Sequence, residues 1–280
     1  MKRFVLAAAI GAAALLIGLP AGAQTVDAPN AIVAGQSIAD WTAAWWTRFW
    51  QIPASAVDLG TGSLAPNVDN NGPVYFAPIT SGDPSLGHVT FNISVPYGVP
   101  VLVPVIMLDD LESVGIDGPF SVTQREQAAD ATINGWKNSV NTASLFATVD
   151  GNTVPNVANH LEQTGYFDMG IAEPNTNGTV NWGETPNDDM FPSKAAGYWL
   201  MIEDFSLGQH TLTYGGSSNV YTPGPNCCTN FPIGPFAVDV TTNIDVVVPE
   251  PTSGLLILTG LGGLFAARRR LSPTSSWRAR

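Results

Sequence analysis

A strict alternation of apolar and polar side chains near the end of the chain restricts the fold most. Apolar residues, with one threonine, occupy every second position from residue 236 to 248, and Asp, Thr and Asn fill most of the positions between them. This period of two is typical of a strand with one buried face and one solvent-exposed face. The chain must therefore build a sheet in which this strand has a place.

Other strand-like segments precede it, each rich in Val, Ile, Phe and Tyr and separated from the next by turn residues. They cover residues 73–79, 88–95, 99–108, 145–149, 153–157, 198–202 and 210–214. Asp150-Gly151-Asn152 predicts a hairpin between two of them, and the polar segment 165–187 predicts a long loop. Many short strands and few helices predict a mainly β fold, an antiparallel β-sandwich or jelly-roll with one or two packed helices.

Two helices are predicted. Residues 37–51 have apolar side chains at helical spacing, with Ser37 as the N-cap, Asp40 in the first turn, and Pro53 after the end. Residues 123–140 form the second helix, in which Thr123 and Glu126 make a capping-box pattern.

Tryptophans in the first helix allow two interpretations. Trp46 and Trp50, with Trp182 farther along the chain, could offer flat rings to a sugar. In the second interpretation the tryptophans have a structural role: the helix packs its aromatic face against a sheet, because aromatic side chains bury large areas. The spacing favours docking.

The N-terminus has the pattern of a secretory signal peptide. Met1, Lys2 and Arg3 precede an apolar run to residue 19, and Ala21 and Ala23 form an A-x-A site that predicts cleavage before Gln24 by signal peptidase. Residues 1–23 are thus expected to be removed, leaving 24–247 as a single β-rich extracytoplasmic domain. The run is short for a permanent membrane span.

The C-terminus has three parts in order. Pro249, Glu250 and Pro251 come first, then the apolar stretch 252–267, then the cluster Arg268, Arg269 and Arg270. The stretch predicts a hydrophobic helix, and the arginines predict that its end stays on the cytoplasmic side, with 271–280 as a basic cytoplasmic trailer.

This tripartite end resembles the PEP-CTERM sorting signal of Gram-negative bacteria, here residues 248–270. The resemblance implies transient insertion in the inner membrane, recognition by exosortase and processing near Pro249–Pro251. It also implies release to the cell surface or to an extracellular matrix of exopolysaccharide or biofilm. The resemblance covers only about the last thirty residues of the chain, and the trailer is longer than the family usually has.

The body is similar to an uncharacterised family of exported bacterial proteins, for which no activity follows. The resemblance rests on segments that occur in this order: WTAAWW (41–46), GPVYF (72–76), VPYGVPVLVPV (95–105), ATVDG (147–151), GYWLM (197–201) and GQHTL (208–212).

The charge of the body excludes some partners. All 23 acidic residues lie between positions 24 and 250, where Arg48, Arg125, Lys137 and Lys194 are the only basic residues, so the stretch carries 4 − 23 = −19. Such a charge repels polyanions and argues against nucleic acid as a partner. It is compatible with an extracellular surface or with cation binding.

Three carboxylates follow the third strand-like segment: Asp109, Asp110 and Glu112. They could be a solvated loop, ligands of a Ca²⁺ ion, or the paired acids of a glycoside hydrolase or lyase. The solvated loop is favoured, because neighbours in sequence give no evidence of opposed geometry. No other cofactor is expected. The histidines and the adjacent pair Cys227 and Cys228 show no metal or catalytic spacing.

The sequence therefore predicts an exported, non-enzymatic envelope or matrix protein with a structural or adhesive role, with exopolysaccharide as the expected partner. A secreted carbohydrate-active enzyme and a carbohydrate-binding module are the alternatives.

Overall fold

The computed structural model of the protein describes residues 24–57, 63–64, 72–113, 115, 118, 120–222 and 233–248. Residues 1–23, predicted to be a signal peptide, lie outside the described residues, as do residues 249–280 and both cysteines. All eight residues predicted to direct processing and sorting are therefore outside them too. Among the described residues, no helix combines the length and the apolar character that a bilayer crossing requires.

Strands make up most of the regular structure. In chain order they are β1 (Thr25–Val26), β2 (Ile32–Val33), β3 (Gln36–Ser37), β4 (Ser63–Leu64), β5 (Tyr75–Phe76), β6 (Ile79–Thr80), β7 (Val89–Pro96), β8 (Val101–Leu111), β9 (Val140–Val149), β10 (Asn152–Thr153), β11 (Leu161–Gln163), β12 (Ser193–Glu203), β13 (Gly208–Ser218) and β14 (Phe236–Val247). The described helices are α1 (Ile38–Gln51), α2 (Val122–Ser139) and α3 (Asn177–Asn181), besides short 3₁₀ turns.

Two five-stranded sheets form the body. The central sheet has the order β1-β12-β8-β5, with β11 pairing beside β1 on the same edge of β12, and the outer sheet has the order β10-β9-β13-β14-β7. Two small hairpin-like pairs, β2-β3 and β4-β6, lie outside them. The hairpin predicted at Asp150-Gly151 is present, and both residues adopt the positive φ that its turn requires.

The central sheet is covered on both faces. Residues 101–106 of β8 and 195–202 of β12 are buried without alternation, which is typical of strands with cover on two sides. Helices α1 and α2 pack against β12, while β9 and β13 of the outer sheet contact β8. In β14, by contrast, the alternating residues Val238, Val240, Ile244 and Val246 are buried and their neighbours are not, as the sequence predicts.

The predicted mainly β sandwich with packed helices is confirmed, with one difference in strand direction. Most pairs are antiparallel, but the sheet edges β7 and β5 run parallel to β14 and β8. In both cases the chain reaches the sheet edge by a long connection instead of a hairpin, which permits the parallel direction.

Helix α1 begins as predicted: Ser37 Oγ accepts from the Asp40 N–H at 3.1 Å, and the Asp40 carboxylate accepts from the Ser37 N–H at 3.2 Å. The capping box predicted for α2 is wrong by two residues. Ser121 and Gln124 make it instead, because they offer the same Ser-x-x-Gln spacing one half-turn earlier. The helix also ends at Ser139, and Val140 opens β9 with no intervening loop.

Candidate functional site: an aromatic and acidic cleft

A cleft of about 350 Å³ opens where the last turns of α1 meet the end of β8. The segment 79–82, the start of β14 and the loop that follows α3 complete its walls. Elements far apart in the sequence therefore converge on one concavity. Its volume lies at the lower end of the range of about 300–1,000 Å³ that small-molecule sites occupy.

The tryptophans of the cleft are those that the sequence singled out. Trp46 and Trp50 are buried and line it from α1, and Trp182, with 47% of its surface exposed, lies at its opening. The ring centroids of Trp50 and Trp182 are 6.1 Å apart. The docking interpretation is thus correct for α1, whose Trp45 contacts Trp199 of β12, and the same helix also presents two rings to the cleft.

Helix α3 holds Trp182 in place. Asn177 donates from its side-chain amide to the Phe49 carbonyl at 3.1 Å, and its backbone N–H donates to the Ile52 carbonyl at 2.7 Å. A Cβ on Gly178 would lie 2.8 Å from Cε3 of Trp50, so only glycine permits this approach of α3 to the ring. This short helix lies inside the segment 165–187, for which the sequence predicted only a loop.

Asp109 is the most unusual group of the cleft. The pKa of its carboxyl is raised to about 8, mainly by burial and in part by the negative charges of Asp110 and Glu184, although the hydrogen bond from Trp50 opposes the shift. Trp50 Nε1 donates to Asp109 Oδ2 at 2.6 Å. Asp109 is therefore mostly a neutral carboxylic acid at pH 7, with one proton to donate.

Two of the three predicted carboxylates line the cleft. Asp109 and Asp110 are residues of β8 itself, not of a solvated loop after it, and both contribute to the cleft wall. Asp110 pairs in register with Lys194, which forms an ion pair with Asp130 of α2. Glu112 is 2% exposed and is not among the residues that line the cleft.

Glu184 is a further acid of the cleft, beside Asp109 and Asp110, and the sequence did not predict it. It is buried, and its charge acts on the pKa of Asp109. In the sequence, the one feature that could have pointed to Glu184 is its position two residues after Trp182. The surrounding polar segment has no periodicity from which its place in the fold could be predicted. As for the predicted Ca²⁺ site, the described residues contain no group of three or more His, Cys, Asp or Glu side chains that could hold a metal ion.

His210 forms a separate cluster. Its Nδ1 lies 2.7 Å from Asp150 Oδ2, and its Nε2 lies 3.2 Å from Ser206 Oγ. The shorter contact of Nε2, at 2.9 Å, is to the Ser206 carbonyl oxygen, so the imidazole is bonded on both sides. This arrangement joins the β12–β13 turn to the β9–β10 hairpin and leaves no lone pair to activate the serine.

The cleft can bind a small polar molecule by two kinds of contact. Indole rings offer flat apolar surfaces, and the protonated Asp109 and ionisable Glu184 offer hydrogen bonds of different kinds.

Comparisons with known proteins give no family. No family model matches the chain, and no curated protein matches it. One solved structure, described as the solution structure of amebosin, is 10% identical and covers 57% of this chain and 96% of its own, with a TM-score of 0.17.

Proposed function

We propose that the protein is an exported, non-enzymatic matrix protein that binds a sugar unit of an extracellular polysaccharide in the aromatic and acidic cleft. The observation that carries the proposal is the position of Trp182: half-exposed, it stands 6.1 Å from Trp50 at the mouth of a cavity that contains a buried acid. An aromatic ring beside hydrogen-bonding groups suits a sugar, which has one apolar face and a rim of hydroxyls.

Size supports recognition of a single unit. A cavity of about 350 Å³ suits one sugar ring, at a chain end or a side branch, better than a run of them. The charge of −19 between residues 24 and 250 favours neutral or cationic glycans over acidic ones, because anionic groups are repelled. Export is supported by the sequence of the two termini.

Binding of neutral monosaccharides and disaccharides, measured by titration calorimetry, tests this proposal. We expect Trp182→Ala to weaken binding roughly tenfold or more, since the contact that the bound sugar makes with this ring should contribute at least about 1.4 kcal/mol to the free energy of binding. Tyr97→Ala is the matched control: Tyr97 is also 47% exposed, and it does not line the cleft. Binding that Trp182→Ala leaves unchanged would contradict the proposal.

A second function, glycoside hydrolysis, is favoured by one observation. Asp109 has the raised pKa of a general acid, and Glu184 lies in the same cleft as the second carboxylate that such chemistry requires. In that case Asp109→Asn would abolish release of reducing sugar while sugar binding persists. A wild-type protein that binds sugars and releases none would instead support the non-enzymatic function.

A further inference from the structure

Strand β7 forms one edge of the outer sheet, and this edge is unprotected. The strand pairs with β14, and no described strand pairs with its other side. Sheet edges in soluble proteins are normally protected by charged side chains, by proline, or by the shortness of the edge strand. β7 is 8 residues long, none of them is charged, and its one proline is the last residue. The opposite edge of the same sheet is the 2-residue strand β10.

One hydrogen bond shows which backbone groups of β7 lie on the free side. The Tyr97 N–H donates to the Val247 carbonyl at 2.8 Å, so residue 97 directs its N–H towards β14. Along a strand, the N–H and C=O of one residue point to one side and those of the next residue point to the other. Thr90, Asn92 and Ser94 therefore direct their backbone groups away from β14. No hydrogen bond joins these groups to any other described residue.

The side chains of β7 form two rows. Thr90, Asn92 and Ser94 are exposed on the outer face of the sheet. Phe91 and Ile93 point the other way and pack against the hydrophobic core, but they are only partly buried, so part of each side chain is uncovered at the edge. An incoming molecule would meet backbone donors and acceptors together with apolar side chains. This combination fits an extended polypeptide that adds a strand to the sheet.

We propose that the strand added at this edge is β7 of a second copy of the chain, paired antiparallel about a two-fold axis at Asn92. In this register Asn92 faces Asn92 of the second copy, and Thr90 faces Ser94. All the outward N–H and C=O groups of these residues then have partners, because such pairs in antiparallel strands exchange both hydrogen bonds. The apolar row matches as well, since Phe91 lies opposite Ile93.

Charge favours this edge over other surfaces as the contact between two copies. The stretch from residue 24 to residue 250 carries −19, so two copies repel each other in general. β7 itself contributes no charge to the contact. The acids of β14, Asp239 and Asp245, lie one strand back from the edge, and Asp239 Oδ1 is 2.8 Å from His88 Nδ1. The two-fold arrangement places no acid of one copy directly opposite an acid of the other.

Sedimentation equilibrium of the purified protein over a range of concentrations tests the proposal. We expect a reversible equilibrium between monomer and dimer without larger species, because the pairing uses the β7 edge of both copies and closes the assembly. Asn92→Asp should weaken the dimer roughly tenfold or more, since two negative charges then face each other at the axis. The substitution keeps the shape of the side chain and the Oδ1 atom, which accepts from Asn243 Nδ2 at 2.9 Å.

Asn243→Asp is the matched control, because it makes the same change of charge on the same face, one strand farther from the axis. Its two charges in the dimer would be about 14 Å apart, beyond the Debye length of about 8 Å at physiological ionic strength, so the dimer should be unaffected. Asn92→Pro removes the outward N–H without touching the bonds to β14, and it should also weaken the dimer roughly tenfold or more.

A wild-type protein that stays monomeric up to about 1 mM would overturn the proposal. So would species larger than a dimer, a different peptide bound at the edge of a monomer, or a dimer that Asn92→Asp and Asn243→Asp weaken equally. Circular dichroism shows whether each variant is folded, and if Asn92→Pro is not, Asn92→Asp decides alone. No residue of β7 lines the cleft, so the outcome is independent of sugar binding.

Discussion

Asp109 shows how a single residue couples the cleft to the stability of the fold. Its pKa is about 8 in the folded protein, against an ordinary value of 3.8. A carboxyl whose pKa rises on folding favours the folded state fully only below pH 3.8, and this contribution is lost as the pH rises towards about 8. At neutral pH the buried carboxyl of Asp109 therefore lowers the free energy of unfolding.

We therefore expect Asp109→Asn to be more stable than the wild type at pH 7. Asparagine stays neutral and can still accept from Trp50 Nε1. The difference should grow with pH between pH 4 and 8, at up to about 1.4 kcal/mol per pH unit. Urea unfolding at pH 5, 6 and 7 measures it. Asp245→Asn, outside the cleft, is the control, and an advantage of Asp109→Asn that did not change with pH would show that the carboxyl is ionised in both states.

The sequence singled out five of the residues that line the cleft, but not their arrangement. Trp46, Trp50, Trp182, Asp109 and Asp110 all line it. Their convergence could not be predicted, because it depends on how α1, β8 and the loop after α3 pack together. Glu112 was grouped with the aspartates because it is near them in sequence, and the end of β8 carries it away from the cleft.

Elements were predicted well where their own periodicity decides them. The alternation of β14 and the aromatic face of α1 appear in the structure with bounds within about two residues. β9 was predicted too short, because Asn141, Thr142 and Ser144 near its start are polar. This part of the strand is joined to β13 by the pairing of Asn141 with Ser217 and by the Ser217 N–H, which donates to Ser144 Oγ at 2.9 Å. The parallel edges depend on long connections, on which local patterns give no information.

The start of α2 provides a prediction at the scale of an element. Ser121→Ala should lower the free energy of unfolding by about 1 kcal/mol. Ser121 Oγ accepts from the Gln124 N–H at 3.3 Å, and this N–H has no acceptor within the helix because it lies in the first turn. Thr123→Ala is the matched control, since Thr123 is exposed in the first turn and makes no capping contact in the described residues.

Chemical denaturation of both variants measures the difference. A larger loss for Thr123→Ala than for Ser121→Ala would place the cap at Thr123, where the sequence pattern alone had put it.

For the whole molecule, the proposed export predicts a definite product. The protein recovered from the cell envelope and the medium should begin at Gln24 and end within residues 249–251. Intact-mass analysis measures both ends and any group joined to them, and a variant with Ala21 and Ala23 both replaced by Asp should keep its N-terminal segment. A full-length chain in the cytosol, with residues 252–267 packed in its interior, would refute the proposal.

Strand β14 determines how the body would respond to tension on the chain beyond Val248. It is an inner strand of the outer sheet, bonded to β13 along Phe236–Val246 and to β7 along Val240–Val247. A pull along its axis loads both ladders in shear, so many hydrogen bonds must yield together instead of one at a time. The body is therefore built to resist being unravelled from its C-terminal end.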